Sequence, residues 1–368
     1  MESKVILKAI GDDPPAATLY YGVNVLDGLS LLGNGSVHMT ATSPPYWGLR
    51  DYGVPPQSWP EVTFAPVLGL PTITIPPQTV ALGLEADPWA FVGHMVAVFR
   101  EVKRVLRDDG TLWLNFGDSY SGYHGNSQVP DDEAPSNKPG FIENMRKSTV
   151  GIGGMKAKDL VGIPWRVAFA LQADGWYLRN DIIWAKPNPM PETVKDRCTK
   201  SHEYIFLMTK NEKYFYDANA IREYGTACNQ NIDGQIGRNK RTIWNVNTQS
   251  YQGAHFATWP TDLVMPMIRA GTSQHGCCAT CGTPWERRDS HSLQSNCKCP
   301  DGSLKRCVVL DPFSGSATTG LVAFTEGRDY IGLDLNESYI NMANNRLLGM
   351  PPPSSHDGIL DPISDMFG

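Results

Sequence analysis

A doubly wound α/β fold with a mostly parallel sheet is the class this chain predicts, and three stretches predict it. Residues 307–335, CVVLDPFSGSATTGLVAFTEGRDYIGLDL, read as strand, Gly-rich turn, helix and strand. Residues 89–120 read as a helix with apolar positions at helical spacing, a RDDG stop and a strand, TLWLNFGDSY. An acid, Asp334, follows Gly315 by about 20 residues, the separation that places a carboxylate on the second strand of a nucleotide-binding βαβ unit. Alternating helices and strands of this kind wind a sheet with helices on both faces.

Each element can be read in chain order. ATLYYG and SVHMTA are strand candidates joined through the helix-like VLDGLSLL, and the second strand runs into Ser43-Pro44-Pro45-Tyr46. Residues 54–85 are rich in Pro, Gly and Thr and read as a surface excursion. Residues 120–158 are polar and Gly-rich without periodicity, which predicts a mobile loop. LVGIPWRVAFALQAD is a second helix ended by Gly175. WYLRNDIIWAK and HEYIFLMTK are strands around a Pro-rich connection, expected to pair antiparallel at a sheet edge. Residues 211–243 are polar and irregular. HFATWPTDLVMPMIRAG enters a third helix, with Pro260 near its first turn. One domain over 1–368 is expected, with no internal repeat.

The chain has 368 residues, a hydrophobic content of 41% and a net charge of −6, ordinary for a globular protein. No apolar run approaches membrane-spanning length, and the N-terminus lacks the pattern of a secretory signal, so a cytoplasmic protein with no membrane association is expected. The charge carries no global signature of nucleic-acid binding, yet local basic clusters exist at 138–158 and in GRNKR, 237–241. A local basic face matters more than the sum.

Three chemistry-bearing features stand out. Adjacent Pro44 and Pro45 fix φ and remove two donors, leaving a rigid carbonyl free to accept from something else. Gly315, with Ser316 after it, allows a ligand to approach the backbone at a helix start. The turn departs from the dinucleotide pattern: Ala317 holds the middle glycine position and bulky Phe313 precedes it. A nucleoside without phosphates fits better, S-adenosylmethionine first among candidates. Finally, Cys198 and Cys228 stand apart, while the remaining six cysteines lie between 277 and 307. Cys278 and Cys281, then Cys297 and Cys299, make two thiolate pairs that suggest a small zinc ribbon inserted at 276–307, although the second pair has one residue between its cysteines instead of two. Buried free thiols are the alternative.

SPPY after a strand, HFATWP downstream and DPFSGSATTG last resemble the amino-methyltransferases of DNA, in the motif order called the β group. GLRDYG, EVKRVLRDDGTLWLNFGDSY, GWYLRNDIIWAKPNPMPE, HEYIFLMTK and GRDYIGLDLNESYINMANNRL extend the resemblance, notably to phage and bacterial site-specific methylases. It implies a Rossmann-like, circularly permuted methyltransferase domain using S-adenosylmethionine on an exocyclic nitrogen of double-stranded DNA. Ser43 and the Pro44 carbonyl, held by Pro45, would accept from the amine, and Tyr46 would stack on a flipped base. Asp311, Phe313 and Gly315 would line the cofactor, Asp334 would take its ribose, and His255, Phe256, Thr258 and Pro260 would close the pocket. Serine at the first motif position favours cytosine N4, with adenine N6 as the alternative. An RNA methyltransferase or a non-catalytic zinc-containing DNA-binding protein are further alternatives. The resemblance places target recognition at 211–243, with Arg238, Lys240, Arg241 and Asn245 as contacts and 120–158 as a second candidate. The target sequence, the oligomeric state and the presence of a cognate restriction endonuclease stay open.

Overall fold

The computed structural model describes residues 3–8, 14–49, 51–121, 155–223, 237–249, 258–287, 293–300 and 302–349. Nine strands form one sheet: β1 (Ser3–Lys8), β2 (Ala16–Tyr21), β3 (Val37–Thr42), β4 (Leu106–Phe116), β5 (Tyr177–Ala185), β6 (His202–Thr209), β7 (Ile243–Asn245), β8 (Val308–Asp311) and β9 (Asp329–Asp334). Their spatial order is β1-β2-β9-β8-β3-β4-β6-β5-β7. The run from β2 to β4 is wholly parallel. β6 is antiparallel to both its neighbours, and β1 is antiparallel to β2.

Helices cover both faces, as the alternating pattern requires. α1 (Val25–Ser30), α2 (Pro88–Val105) and α3 (Ile163–Ala173) share one core with Leu112, Leu114 and Phe116 of β4. α4 (Thr261–Gly271), α5 (Thr318–Thr325) and α6 (Tyr339–Leu347) share the other with Trp113, Met39 and Ala41. The two-residue alternation of a strand puts Trp113 opposite its neighbours, and β3 is buried along its whole length. Asp87 caps α2 by accepting from the Trp89 N–H, and Pro88 occupies its first turn. α3 has no capping side chain of its own; the Asp118 carboxylate, from the end of β4, accepts from the Gly162 and Ile163 N–H groups.

Three expectations are revised. The antiparallel β5–β6 pair is not the edge, because β7 adds parallel to β5 outside it, and the antiparallel edge strand is β1, in the N-terminal residues left unassigned. Strand β4 begins at Leu106 rather than after RDDG, with Asp109 held by Arg107 and Asp108 by Lys210. Residues 54–85, read as a surface excursion, contribute to the core. Two nested ribbons, 57–59 with 78–80 and 62–64 with 73–75, turn Trp59, Val62, Phe64 and Ile75 into the core over α2. The expected loop at 120–158 and the recognition region at 211–243 fall largely or partly outside the described residues.

Gly320 belongs to packing rather than to the turn. A Cβ there would lie 2.6 Å from the buried Tyr330 ring on β9. That ring is fixed by the hydrogen bond between its hydroxyl and Ser314 and has no room to move. Gly320→Ala is expected to lower stability by about 1–3 kcal/mol, measurable by chemical denaturation.

Candidate active site

The topological switch lies between β8 and β3: the chain leaves β8 for β9 on one side and β3 for β4 on the other. Their carboxyl ends open a cavity of about 1020 Å³. Ser43, Pro44, Pro45 and Tyr46 follow β3, Asp311 ends β8 and Asp334 ends β9, so residues nearly 300 positions apart line one space. Ligands bind open α/β sheets at such a crevice.

Ser43 is tied into a network that sets its polarity. The Tyr46 hydroxyl donates to Glu203 Oε2 at 2.6 Å, so its proton is committed. The Ser43 Oγ, 3.2 Å from that hydroxyl, is then the donor of the pair. Asn115 Nδ2 donates to the Ser43 Oγ at 3.2 Å and lies within hydrogen-bond reach of the Tyr46 hydroxyl and Glu203. Lys186 Nζ pairs with Glu203 Oε1 and sits 4.3 Å over the Trp184 ring. With its proton engaged and one lone pair taken, Ser43 has a single lone pair left, as an acceptor. Among the described residues no donor reaches the Pro44 carbonyl. Two acceptors therefore stand side by side. Burial, and then the Glu203 charge, raise the Tyr46 pKa well above the usual phenol value, so Tyr46 stays a neutral donor. Gly117 permits this arrangement, because a Cβ there would lie 2.7 Å from the Tyr46 ring.

The two acids end the strands next in order, Asp311 on β8 beside β3 and Asp334 on β9. Asp311 accepts from Thr42 at 2.6 Å, Thr319 at 2.7 Å and the Phe313 N–H at 3.1 Å. Asp334 accepts from the Gly315 N–H at 2.7 Å and the Asn336 N–H at 2.8 Å. A Cβ on Gly315 would meet nothing within 4 Å, so its backbone faces open space beside Asp334. Phe313 and Ser316 also line the cavity, with Ser316 accepting from Arg346. Ala317 is buried at a φ of 58°, the left-handed region where glycine is expected. Its methyl packs into the core away from the cavity, so the departure from the usual glycine does not separate backbone and ligand.

Burial dominates both carboxyls and pushes each up to about 6. An acid whose folded pKa exceeds its unfolded value of about 3.9 stabilises the fold below pH 4, and that contribution is lost as pH rises through 6. Each carboxyl accounts for roughly 2–3 kcal/mol over that window. Wild-type protein is expected to lose stability relative to Asp334→Asn between pH 4 and 6, as denaturation midpoints would show.

Other residues are distributed unevenly. Thr258 lines the cavity beside Trp259. Pro260 does not: its carbonyl accepts from Leu263 and Val264 and starts α4, so it shapes the wall without facing the space. His255 and Phe256 lie outside the described residues. Arg238 and Arg241 both pair with Glu223, at 3.2 and 2.9 Å, and Lys240 stands 4.9 Å over the Trp244 ring. Asn245 and Arg241 border a separate hollow along β7. Arg287 is held by Asp217 at 3.5 Å, and Arg288 lies outside the described residues.

Cys278, Cys281, Cys297 and Cys299 converge, with all four Sγ atoms within 4.8 Å of one another. Cys277 and Cys307 form a different, buried cluster with His38. Sequence reasoning missed Asn115, Lys186 and Glu203. The signal was a polar residue inside LWLNF and a carboxylate opening the apolar strand HEYIFLMT.

Comparison with known proteins identifies a family. The family model described as DNA methylase matches residues 37–345. The type II methyltransferase M.Cfr9I of Citrobacter freundii is 43% identical over 333 residues, 90% of this chain and 88% of the relative. M.SmaI of Serratia marcescens, also a type II methyltransferase, is 41% identical over 83% of this chain and 82% of its own length. Among solved structures, PvuII DNA methyltransferase (cytosine-N4-specific) superposes with a TM-score of 0.54 at 17% identity, covering 92% of this chain and 88% of its own. A family match across most of the chain, with SPPY and both acids gathered at the switch point, makes this chain a member of the DNA methylase family that modifies exocyclic N4 or N6 nitrogens.

Proposed function

We propose that this methyltransferase modifies the N4 amine of cytosine within a specific short sequence of double-stranded DNA, as the modifying partner of a restriction endonuclease. The observation that carries the reading is the paired acceptor, Ser43 Oγ and the Pro44 carbonyl, at the floor of the cavity. An exocyclic amine is a poor nucleophile because its lone pair is delocalised into the ring. Two acceptors aimed at its two N–H bonds favour a tetrahedral nitrogen and localise that lone pair. A base must leave the duplex to reach them, and the Tyr46 ring at the cavity wall offers a stacking face. Serine at this position favours cytosine, and the cytosine-N4-specific PvuII enzyme shares the fold. Adenine N6 is the second reading, since its amine presents the same two donors.

S-adenosylmethionine, when bound, supplies an electrophilic methyl group. The residues present fit it: the Asp334 carboxylate suits ribose hydroxyls, and Gly315 leaves the turn open beside it. Asp311, buried and fully hydrogen-bonded, shapes the turn rather than reacting. Phe313, Ser316 and Thr258 add lining, and in this reading His255 and Phe256 complete the wall with Pro260 behind them. Arg238, Lys240, Arg241 and Asn245 contact DNA in this account, with Glu223 released from the arginines on binding. Zinc, held by Cys278, Cys281, Cys297 and Cys299, is the structural metal.

Transfer of radiolabelled methyl from S-adenosylmethionine to mixed-sequence duplex DNA tests the reading. Label in duplex DNA supports it, and label only in RNA or single strands contradicts it. Glu203→Gln is expected to lower the rate about tenfold, because an amide no longer fixes the Tyr46 and Ser43 protons.

A further inference from the structure

The 276–307 segment lies at the end of the sheet remote from the reaction. His38, Arg107 and Val308 sit at the amino ends of β3, β4 and β8, whereas Ser43 and Asp311 sit at or beyond the carboxyl ends. A six-residue strand separates the two ends by about 20 Å. His38 Nδ1 accepts from the Val308 N–H at 3.1 Å, which leaves Nε2 to donate to the Gly282 carbonyl at 3.0 Å. Arg107 donates to the Cys281 carbonyl at 2.8 Å while held by Asp109. The segment thus grips the starts of three adjacent strands.

Among the described residues little apolar packing holds the segment together: Pro284 is buried and Trp285 only half-buried. Its strands are pairs of two or three residues, 277–278 with 304–305 and 285–287 with 293–295. Between Cys278 and Cys307 the described residues bury no large hydrophobic side chain, and Leu304 is half exposed. A piece this small needs a staple. The four convergent thiols supply one. The Gly282 N–H bonds back to the Cys278 carbonyl at 2.8 Å, closing a tight turn around the first pair with Gly282 at a φ of 72°. Cys281 and Cys297 bring their sulfurs to 3.3 Å across the two pairs, and the Cys299 N–H points at the Cys297 sulfur at 3.2 Å. All four are free thiols. Tetrahedral zinc at about 2.3 Å from each sulfur needs sulfurs about 3.8 Å apart, close to what is present. The His38–Cys277–Cys307 cluster differs, because both His38 nitrogens already serve backbone groups.

The geometry points to a closed four-thiolate zinc clip that fastens the amino ends of β3, β4 and β8 and takes no part in binding DNA or the methyl donor. Four protein ligands leave no open coordination position, so the metal is not catalytic. Arg107 and Arg287 are spent within the fold, on Asp109 and Asp217, and Lys298 between the second pair of thiols is exposed, so the distance from the cavity carries the second half of the inference.

The zinc content of the full-length protein, purified without added metal, tests the first half. One zinc per chain is expected, falling below one tenth in the Cys278→Ser/Cys297→Ser double variant and unchanged in Cys198→Ser, an exposed cysteine elsewhere. Because the double variant could fail to fold, wild-type protein exchanged with cobalt gives an independent reading: the visible absorption of a four-thiolate tetrahedral site is expected. No metal, full zinc in the double variant, or a cobalt spectrum lacking thiolate bands would overturn the site. The second half rests on the proposed methyl donor. Chelated protein kept below its lowered melting temperature should bind S-adenosylmethionine within twofold of the zinc-loaded form. A tenfold loss in chelated protein that still shows native circular dichroism would overturn the remote-clip role. Absence of binding in both forms would instead count against the donor assignment.

Discussion

Ser43→Ala is expected to lower the rate of methyl transfer by roughly 10²–10³ while leaving S-adenosylmethionine affinity unchanged. The methyl side chain keeps the backbone of the motif and the Pro44 carbonyl, so the lesion is confined to one acceptor. Ser43 follows β3 and Asp334 ends β9, with β8 between them, and none of the Ser43 hydrogen bonds reaches the Gly315 turn. The effect should therefore appear in kcat rather than in cofactor binding. Ser43→Asp would place a second carboxyl near Glu203, which already accepts the Tyr46 hydrogen bond. Single-turnover kinetics with saturating cofactor separate the two parameters. A variant that keeps most of its rate would show that the hydroxyl is no acceptor in the reaction.

Asp334→Ala is expected to weaken S-adenosylmethionine binding by about ten- to a hundredfold, the loss of charge-assisted hydrogen bonds to ribose hydroxyls. The change also releases the Gly315 and Asn336 N–H groups, which loosens the turn that the ligand approaches. At saturating cofactor the rate should recover to within a few-fold, the reverse of the Ser43 pattern. The carboxyl is pushed up to about 6 by burial, so wild-type affinity should fall as pH drops below 6. Isothermal titration calorimetry at pH 5 and pH 8 would register both effects. Equal affinity in wild type and variant would remove Asp334 from the cofactor site.

What could be read from the sequence depended on how far apart interacting residues lie. Gly315 and Asp334 belong to one βαβ unit, so their partnership is written in spacing along a single stretch. The two proline residues of SPPY announce a rigid turn by themselves. Glu203 and Tyr46 are 157 positions apart, and Asn115 and Glu203 are 88 apart. Only the pairing of β4 with β6 brings them together, in a register that sets Tyr204 opposite Phe116. No local pattern encodes that. The N-terminal strand β1 was missed for a similar reason: SKVILK is too short to declare itself without β2 beside it. The ribbons at 57–80 hide behind prolines, although alternate positions such as Val62 and Phe64 face the core. The convergence of the four cysteines was legible because they fall as two close pairs. Their place at the far end of the sheet was not, since it rests on His38 and Arg107.

The identity of the methylated nucleoside is the most direct test of the central claim. Duplex DNA methylated by the wild-type protein would be digested to nucleosides and resolved by mass spectrometry. Serine at the first position of SPPY predicts N4-methylcytosine, absent when Ser43→Ala protein is used. N6-methyladenine as the product would contradict the assignment of cytosine as the target, and 5-methylcytosine would contradict the chemistry assigned to Ser43 and Pro44 altogether.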